Sequence, residues 1–196
     1  MATTINALAR QPTEFDYADP TKFKFSITKL PKVEFFTTAA NLPGINLGES
    51  VFPTPFKQVP VMGDDLTFET LEIGFLVDAK LENYIELHNW LLGIGFPKSR
   101  TQFSSFKNAN TDAFPTQAGN TGSATSPGTP SGVQSMFGDA TLTIMTSKNN
   151  PVIEVRFSDL YPVSLSGLAF NQQETDVTYL TATCTFTYKL YEMFTI

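Results

Sequence analysis

Residues 180–190 read Leu-Thr-Ala-Thr-Cys-Thr-Phe-Thr-Tyr-Lys-Leu, an alternation of apolar and polar side chains. Successive side chains of a β-strand point to opposite faces, so this run predicts a long strand with one face in a core. Cys184 and Phe186 fall on the apolar face. The other face carries four hydroxyls, those of Thr181, Thr183, Thr185 and Thr187. The stretch predicts a β-sheet protein with a hydroxyl-lined sheet face.

A second strand is predicted over residues 66–78. Its apolar side chains occupy even positions up to Phe68 and odd positions from Leu71 onward. Because side chains alternate strictly along an unbroken strand, the change predicts one extra residue, a bulge near Glu69 and Thr70. Shorter β-like runs occur at residues 23–27, 32–39, 140–145, 152–157 and 160–165. The first two of these predict a hairpin.

One helix is predicted, over residues 80–92 with Asp78 as its N-cap. Its apolar face comprises Leu81, Tyr84, Ile85, His88, Leu91 and Leu92. Trp90 lies off the centre of that face. Two interpretations of Trp90 stay open, a flank of the core and a contact between subunits.

Residues 45–62 predict an extended arm. Three prolines in this segment, Pro53, Pro55 and Pro60, remove too many amide donors for a central strand. The arm also carries apolar side chains that it cannot bury by itself, Val51, Phe52, Phe56 and Val59. A partner surface is the expected place for these four residues, and a loop folded back on its own core is the alternative.

Two further segments lie outside the predicted core. Residues 1–22 are polar and predict an N-terminal arm. Residues 96–138 predict a long inserted loop, because their centre at 108–132 is Ser, Thr, Gly, Asn and Pro with few large side chains. A linker between two domains is the rival interpretation, but neither flank is complete alone. The chain of 196 residues is therefore read as one domain.

Composition excludes several classes of protein. The net charge of −6 lacks the basic footprint that binding nucleic acid phosphates requires. The single cysteine excludes an internal disulfide framework and a thiolate zinc site. No apolar run reaches the ~20 residues needed to cross a bilayer, and residues 1–17 lack a signal-peptide pattern. We therefore expect a chain that is made in a cytosol, stays soluble and does not insert into a membrane.

The sequence offers little catalytic chemistry. His88, the only histidine, lies on the predicted apolar face of the helix, where a packed structural role is expected. Cys184 lies on the core face of its strand, and the acidic pair Asp64 and Asp65 lies in a turn, where such residues are usually solvated. Phosphate-binding loops, dinucleotide fingerprints and nucleophile elbows do not occur. We expect no enzyme activity, no metal and no cofactor.

The order of several short motifs resembles the tail tube proteins of contractile-tailed bacteriophages. The motifs that carry the resemblance are Asp19-Pro-Thr-Lys-Phe23, Thr38-Ala-Ala-Asn-Leu-Pro-Gly44, Val61-Met-Gly-Asp64, Leu66-Thr-Phe-Glu-Thr-Leu-Glu-Ile73 and Tyr84-Ile-Glu-Leu-His-Asn-Trp90. The resemblance covers about residues 15–95 and 140–192, and residues 96–138 look like an elaboration. No single motif is specific, so the resemblance depends on the ordered series.

The resemblance implies a mainly β fold, a rolled β-barrel of two packed antiparallel sheets with one flanking α-helix. It implies a structural subunit of a virion tail, assembled in the host cytoplasm. Six copies would close into a homohexameric ring by sheet continuation, and stacked rings would form a channel for genome ejection. Partners would be further copies of the chain, the tail sheath and the baseplate. Residues 45–62 would reach an adjacent ring, and the N-terminal arm would also contact neighbours.

The resemblance also places one face of the sheet on the channel. The candidates for this lumen-facing surface are Glu72, Thr181, Thr183, Thr185 and Thr187. Such a wall presents hydroxyls and some acid, which allows viral DNA to pass without accumulating affinity or reading sequence. The alternative is that the threonines are ordinary β-formers on an outer sheet.

Other functions stay open at this point. Baseplate tube-initiator proteins share the pattern and are the close alternative. Type VI secretion tube proteins look similar in fold but match less well. From a different class, a β-rich ligand-binding or adhesin module would show the same alternation of strands and loops.

Overall fold

A computed structural model describes residues 17–27, 30–102, 137–173 and 178–196 of the chain. The elements within these ranges are β1 (Phe23–Ile27), α1 (Pro31–Phe35), β2 (Thr37–Ala40), β3 (Ile45–Pro53), β4 (Gln58–Phe68), β5 (Leu71–Leu76), α2 (Glu82–Gly95), β6 (Gly138–Met145), β7 (Pro151–Leu165), β8 (Thr181–Thr187) and β9 (Leu190–Thr195). Most of the predicted N-terminal arm, at 1–22, and of the predicted insertion, at 96–138, lies outside the described residues.

Seven strands form one antiparallel sheet in the order β1-β6-β7-β8-β5-β2, with β9 also paired to β7. Strands β8 and β9 follow one another along β7, because Tyr161 lies opposite Thr187 and Ser158 lies opposite Leu190. The sheet therefore has two halves. The first half contains β1, β6, β9 and the start of β7, and the second contains β2, β5, β8 and the end of β7. Strands β3 and β4 form a separate two-stranded sheet.

Strand β7 passes from one half to the other through a bulge at Asp159. The register with β6 shifts between Phe157 and Leu160, and Asp159 has a left-handed backbone with a φ of 54°. An extra residue in that conformation bends a strand and increases its twist. Next to this bulge, the single strand predicted over residues 180–190 is broken at Lys189 into β8 and β9. Leu190 is consequently exposed and Tyr191 is buried, which reverses the alternation that the sequence predicted.

The two halves share one hydrophobic core. Fully buried members of this core are Phe25, Ile27, Leu71, Ile73, Phe75, Trp90, Val155, Phe157, Cys184 and Phe186. The mainly β, antiparallel class predicted from the sequence is confirmed. The predicted barrel is not closed, because β1 and β2 end the sheet and are not paired with each other.

Helix α2 packs through a face that the sequence analysis did not predict. Its buried residues are Asn83, Leu87, Trp90 and Gly93, whereas Ile85 and His88 are exposed. Asn83 explains the rotation, because its amide Nδ2 donates to the carbonyl of Leu76 at 2.8 Å and its Oδ1 accepts from the backbone of Asp78. Trp90 lies in the core, 6.2 Å from Phe186 between ring centroids. Its interpretation as a subunit contact is therefore wrong.

Two local strand predictions are also wrong. The β-like run at 32–39 is the short helix α1 followed by β2, and β2 pairs with β5. A second helix therefore joins the one that was predicted. The run at 66–78 is split between two sheets, since β4 ends at Phe68 and β5 begins at Leu71. The change of parity at Glu69 and Thr70 marks a passage between sheets instead of a bulge inside one strand.

Candidate assembly surfaces

Strands β3 and β4 form a hairpin over residues 45–68, which we call the arm. Its ladder runs from Ile45 opposite Phe68 to Pro53 opposite Gln58, and residues 54–57 form the tip. The large exposed apolar side chains of the arm are Ile45, Leu47, Val51, Phe52, Phe56, Val59, Val61, Met62 and Leu66. Contiguous apolar surface of this kind marks a site of interaction.

The ladder divides these side chains between two faces. Ile45, Leu47 and Val51 share the first face with Met62 and Leu66, because residues directly opposite in an antiparallel pair project to the same side. The second face carries Phe52, Val59 and Val61 near the tip, and polar residues near the root. The first face is therefore apolar along most of its length.

The four side chains predicted to make contacts are distributed over both faces and the tip. Phe52 and Val59 lie directly opposite each other on the second face, and Val51 lies opposite Pro60 on the first. Phe56 lies at the tip and is 100% exposed. The exposed apolar side chains that were not predicted are Ile45, Leu47, Val61, Met62 and Leu66. The i, i+2 spacing of Ile45 and Leu47 before Glu49 and Val51 was the available signal.

The register of the arm shifts where two glycines meet. The register shifts between Leu47 and Glu49, with three residues of β4 between Met62 and Leu66 opposite one residue of β3. A Cβ on Gly63 would lie 2.5 Å from the carbonyl oxygen of Gly48, a distance that requires the backbone to move. The close approach of the two strands therefore depends on glycine at position 63.

The root of the arm, its end at Ile45 and Phe68, packs on an aromatic cluster of the body, by which we mean the seven-stranded sheet with its helices. Phe68 makes edge contacts with Tyr188 and Tyr191, at 6.1 Å and 5.5 Å between ring centroids. Phe157 packs against the same two tyrosines. Edge-to-face aromatic pairs contribute about 0.5–1.5 kcal/mol beyond their buried area. These rings hold the end of β4 against the sheet.

The two tyrosine hydroxyls bind both legs of the arm. Tyr191 donates to the carbonyl of Pro43, just before β3, and Tyr188 donates to the carbonyl of Glu69, just after β4. The distances are 3.1 Å and 2.8 Å. Burial raises the pKa of Tyr188 to about 12, so the folded state favours the protonated hydroxyl that donates this bond. We call this arrangement the tyrosine clamp.

The corner between arm and body has further hydrogen bonds. Asn41 Nδ2 donates to the carbonyl of Thr70 at 3.1 Å, and Asn41 Oδ1 accepts from the backbone nitrogen of Glu72 at 2.6 Å. The Glu69 carboxylate accepts from the backbone of Gly44 at 3.3 Å. These bonds fix the point at which the chain leaves one sheet and enters the other.

The predicted lumen residues lie together on one face of the sheet. Glu72 is directly opposite Thr185 in the ladder between β5 and β8, and Gly74 is opposite Thr183. Thr181 and Thr187 continue the same face along β8, since both alternate with the buried residues of that strand. Helix α2 packs on the other side, where Trp90 meets Phe186. The structure therefore brings the predicted residues together on a face opposite the core.

The ends of the sheet offer strand edges for pairing. Among the described residues β1 is paired only with β6, and β9 is paired only with β7. Unpaired edges invite pairing with another chain. Exposed apolar side chains accompany β9 and the residue after it, at Leu190, Met193, Phe194 and Ile196. This edge is a second candidate for contact between subunits.

Reactive side chains are dispersed across the described structure. Cys184 is buried in the core as predicted, and burial raises the pKa of its thiol to about 12. His88 is exposed, contrary to the packed role predicted for it. The described residues contain no group of three or more His, Cys, Asp or Glu that is arranged to hold a metal ion. Neither described helix has the length and hydropathy needed to cross a membrane.

The fold is similar to that of chains in a prophage baseplate and in a tube-terminating cap. One chain of the cryo-EM structure of the anti-feeding prophage baseplate, six-fold symmetrised, matches with a TM-score of 0.57 and 10% identity, over 92% of this chain and 97% of that chain. A chain of the anti-feeding prophage tube-terminating cap matches with a TM-score of 0.55 and 11% identity, over 97% and 100% of the two chains. The predicted resemblance is thus confirmed at the level of the fold.

A chain of the sheath-tube complex of an extracellular contractile injection system, PVC, has a TM-score of 0.47 and 11% identity, over 100% of each chain. No protein-family model matches the sequence. No curated protein matches it significantly.

Proposed function

We propose that the chain is a structural subunit of a tail tube, which assembles with copies of itself through the arm and the sheet edges. The observation that carries this proposal is the arm, a hairpin that exposes most of its apolar side chains, whereas the rest of the described structure buries a shared hydrophobic core. A two-stranded hairpin is marginally stable alone, so a partner is its expected support. The full-length match to baseplate and cap chains supports the same conclusion.

The assembly we propose is a stack of hexameric rings around a channel for genome passage. Strands β1 and β9 would continue the sheet from subunit to subunit, and the arm would reach the adjacent ring. Sheath and baseplate proteins would be the other partners, and the location would be the tail of a virion. The role is structural and needs no catalytic centre.

The channel wall in this proposal is the face of β5 and β8 opposite the core. That face carries Glu72 and the four threonines and has no basic side chain among its described β5 and β8 residues. Basic side chains would release counterions from DNA phosphates and accumulate affinity at every ring. A hydroxyl-rich wall allows DNA to slide through the channel.

A second candidate function is a subunit at an end of the tube. The chains with TM-scores above 0.5 described above come from a baseplate and from a terminating cap. A tube-end subunit forms one ring and stops, whereas a tube subunit forms open-ended stacks.

Negative-stain electron microscopy of the purified protein tests both candidates. Hollow tubes of variable length support the tube subunit, and single rings support the tube-end subunit. Isolated monomers at every concentration, with affinity for glycans or other ligands, would contradict both and favour a binding module.

A further inference from the structure

A cleft of about 570 Å³ lies where β5 ends and β8 begins. We call it the groove. Its apolar lining includes Phe36, Leu76, Val77, Leu81, Tyr179 and Leu180. Asp78 is the one charged side chain among the described residues that line it. The groove is thus an apolar cleft with a single negative charge.

Two aromatic side chains of the groove are mostly in solvent. Phe170 is 73% exposed and Tyr179 is 77% exposed. Aromatic side chains are the residues that most often anchor protein interfaces when a partner covers them. The exposure of two of them at one cleft indicates a surface that is covered in an assembly.

The groove and the root of the arm lie at opposite ends of the ladder between β5 and β8. Strand β5 begins at Leu71, next to the tyrosine clamp, and ends at Leu76 in the groove. Strand β8 runs the other way, from Thr181 beside the groove to Thr187 beside Tyr188. Six residues of strand span about 20 Å. A contact between the arm of one copy and the groove of the next therefore joins opposite ends of two subunits.

The tip of the arm complements the groove in apolar character and charge. Phe56 is completely exposed, and it is flanked by Pro55 and Lys57. Lys57 is the only charged residue of the tip, and its sign is opposite to that of Asp78. The tip is thus an aromatic anchor next to one positive charge, and the groove is an apolar cleft next to one negative charge.

We propose that the groove of one copy receives the arm tip of a second copy, with Phe56 in the cleft and Lys57 beside Asp78. The inference rests on the proposed function and names the surface that the arm would contact. The two surfaces differ, so the contact is heterologous, and such contacts form open-ended stacks unless a rotation closes them. Because the tip and the groove are different surfaces of the same subunit, all copies in a stack would then point in the same direction.

Site-specific photo-cross-linking tests the contact. A benzophenone amino acid at position 56 should cross-link to residues 76–81 or 178–180 of a second copy in the assembled protein. The same probe at position 179 should cross-link to residues 53–57. A probe at Lys148, in the exposed turn between β6 and β7, serves as the control and should give neither product.

Charge reversal provides an independent test. Lys57→Glu should raise the critical concentration for assembly up to about fivefold, because exposed ion pairs contribute little. Asp78→Lys should have a similar effect, and the double variant should restore assembly towards the original value. Lys148→Glu, in the exposed turn between β6 and β7, is the matched control and should change nothing. Additive losses in the double variant would overturn the pairing.

The outcomes separate this inference from the proposed function. Cross-links from position 56 to another surface of a second copy would overturn the groove contact and leave assembly through the arm in place. Cross-links from position 179 to a different tail protein would assign the groove to that partner and also overturn the inference. Normal assembly of a variant without apolar residues at the tip and at Phe52 would instead contradict the proposed function.

Discussion

Strands β4 and β5 are consecutive in the chain, yet large apolar side chains are exposed in β4 and buried in β5. Leu71, Ile73 and Phe75 of β5 are completely buried, whereas Leu66 of β4 is 48% exposed and Met62 is 83% exposed. Leu66 and Phe68 at the end of β4 show the same alternation that predicts a half-buried strand in β5. The difference shows that an apolar strand face predicts burial, but it does not predict whether the burying surface belongs to the same chain or to a partner.

The arm and the body also differ in how they are stabilised. The body closes one core between the two halves of its sheet and α2. The arm has its own ladder and is attached at its root by Phe68 and the tyrosine clamp. We therefore expect substitutions to separate into two groups, those that unfold the body and those that leave the fold unchanged but prevent assembly.

The largest effect is expected from acidic residues on the arm. Phe52→Asp combined with Phe56→Asp should abolish assembly while the body stays folded, because each fully buried Phe contributes about 1.5–3 kcal/mol and a buried unpaired charge is strongly unfavourable. Sedimentation velocity and circular dichroism measure the two properties. Ile85→Asp is a control outside the arm and should assemble normally. Assembly of the double variant at the original protein concentration would remove the arm from the account.

A core substitution should show the opposite behaviour. Phe186→Ala should lower the free energy of unfolding by about 3–5 kcal/mol, because Phe186 is fully buried and packs against Trp90. Phe52→Ala, the same substitution in the arm, should change it by less than about 0.5 kcal/mol in the monomer. Urea denaturation provides both values. Equal losses for the two variants would show that the arm is part of the cooperative core.

The hydroxyl face of the body gives a third prediction. Thr183→Lys with Thr185→Lys should create DNA binding that weakens as salt increases, with a slope of roughly −0.9 per phosphate contacted. The original assembly should bind DNA weakly at every salt concentration, because the described β5 and β8 residues of the proposed wall offer no cation to the phosphates. Fluorescence anisotropy with a labelled duplex measures both. Tight binding by the original assembly would contradict the proposed wall.

The smallest effect is expected from the tyrosine clamp. Tyr188→Phe should lower the free energy of unfolding by about 1 kcal/mol, the usual net contribution of one hydrogen bond. The pKa of Tyr188 is raised in the folded state, from 10 to about 12, so folding favours its protonated form. Its contribution is therefore complete below pH 10 and is lost as pH rises towards 12. The free energy of unfolding of the Phe variant should therefore fall less between pH 10 and pH 12. Identical dependence of that free energy on pH in the two proteins would contradict a role of the Tyr188 hydroxyl in stabilising the fold.

Local sequence patterns predicted the structure correctly where no contact from a distant segment interrupts them. The alternation at 181–187 predicted the strand, its buried Cys184 and its hydroxyl face, because the alternation of buried and outward-facing residues is unbroken within β8. The prolines predicted that residues 45–62 avoid the central sheet. Pro60 sits opposite Val51 in a ladder of two strands, where both strands have a free edge that tolerates a missing donor.

Prediction failed where a polar contact overrides the pattern. Asn83 binds the end of β5 and rotates α2, so Leu87 and Trp90 are buried and His88 is exposed. The bulge at Asp159 shifts the register of β7, and the break at Lys189 reverses the side-chain alternation before Leu190. These features depend on contacts between segments distant in the chain, which a local pattern does not contain. The register of the arm, which divides its apolar residues into two faces, was missed for the same reason.

A cryo-EM map of the assembled protein is the most direct test of the claim that the arm joins subunits. The account predicts that the arm of each subunit lies against another copy, with Phe52, Phe56 and Met62 buried in that contact. It also predicts that Thr183 and Thr185 face a central channel. An assembly in which the arm extends into solvent, while its subunits contact each other only through other surfaces, would contradict the account.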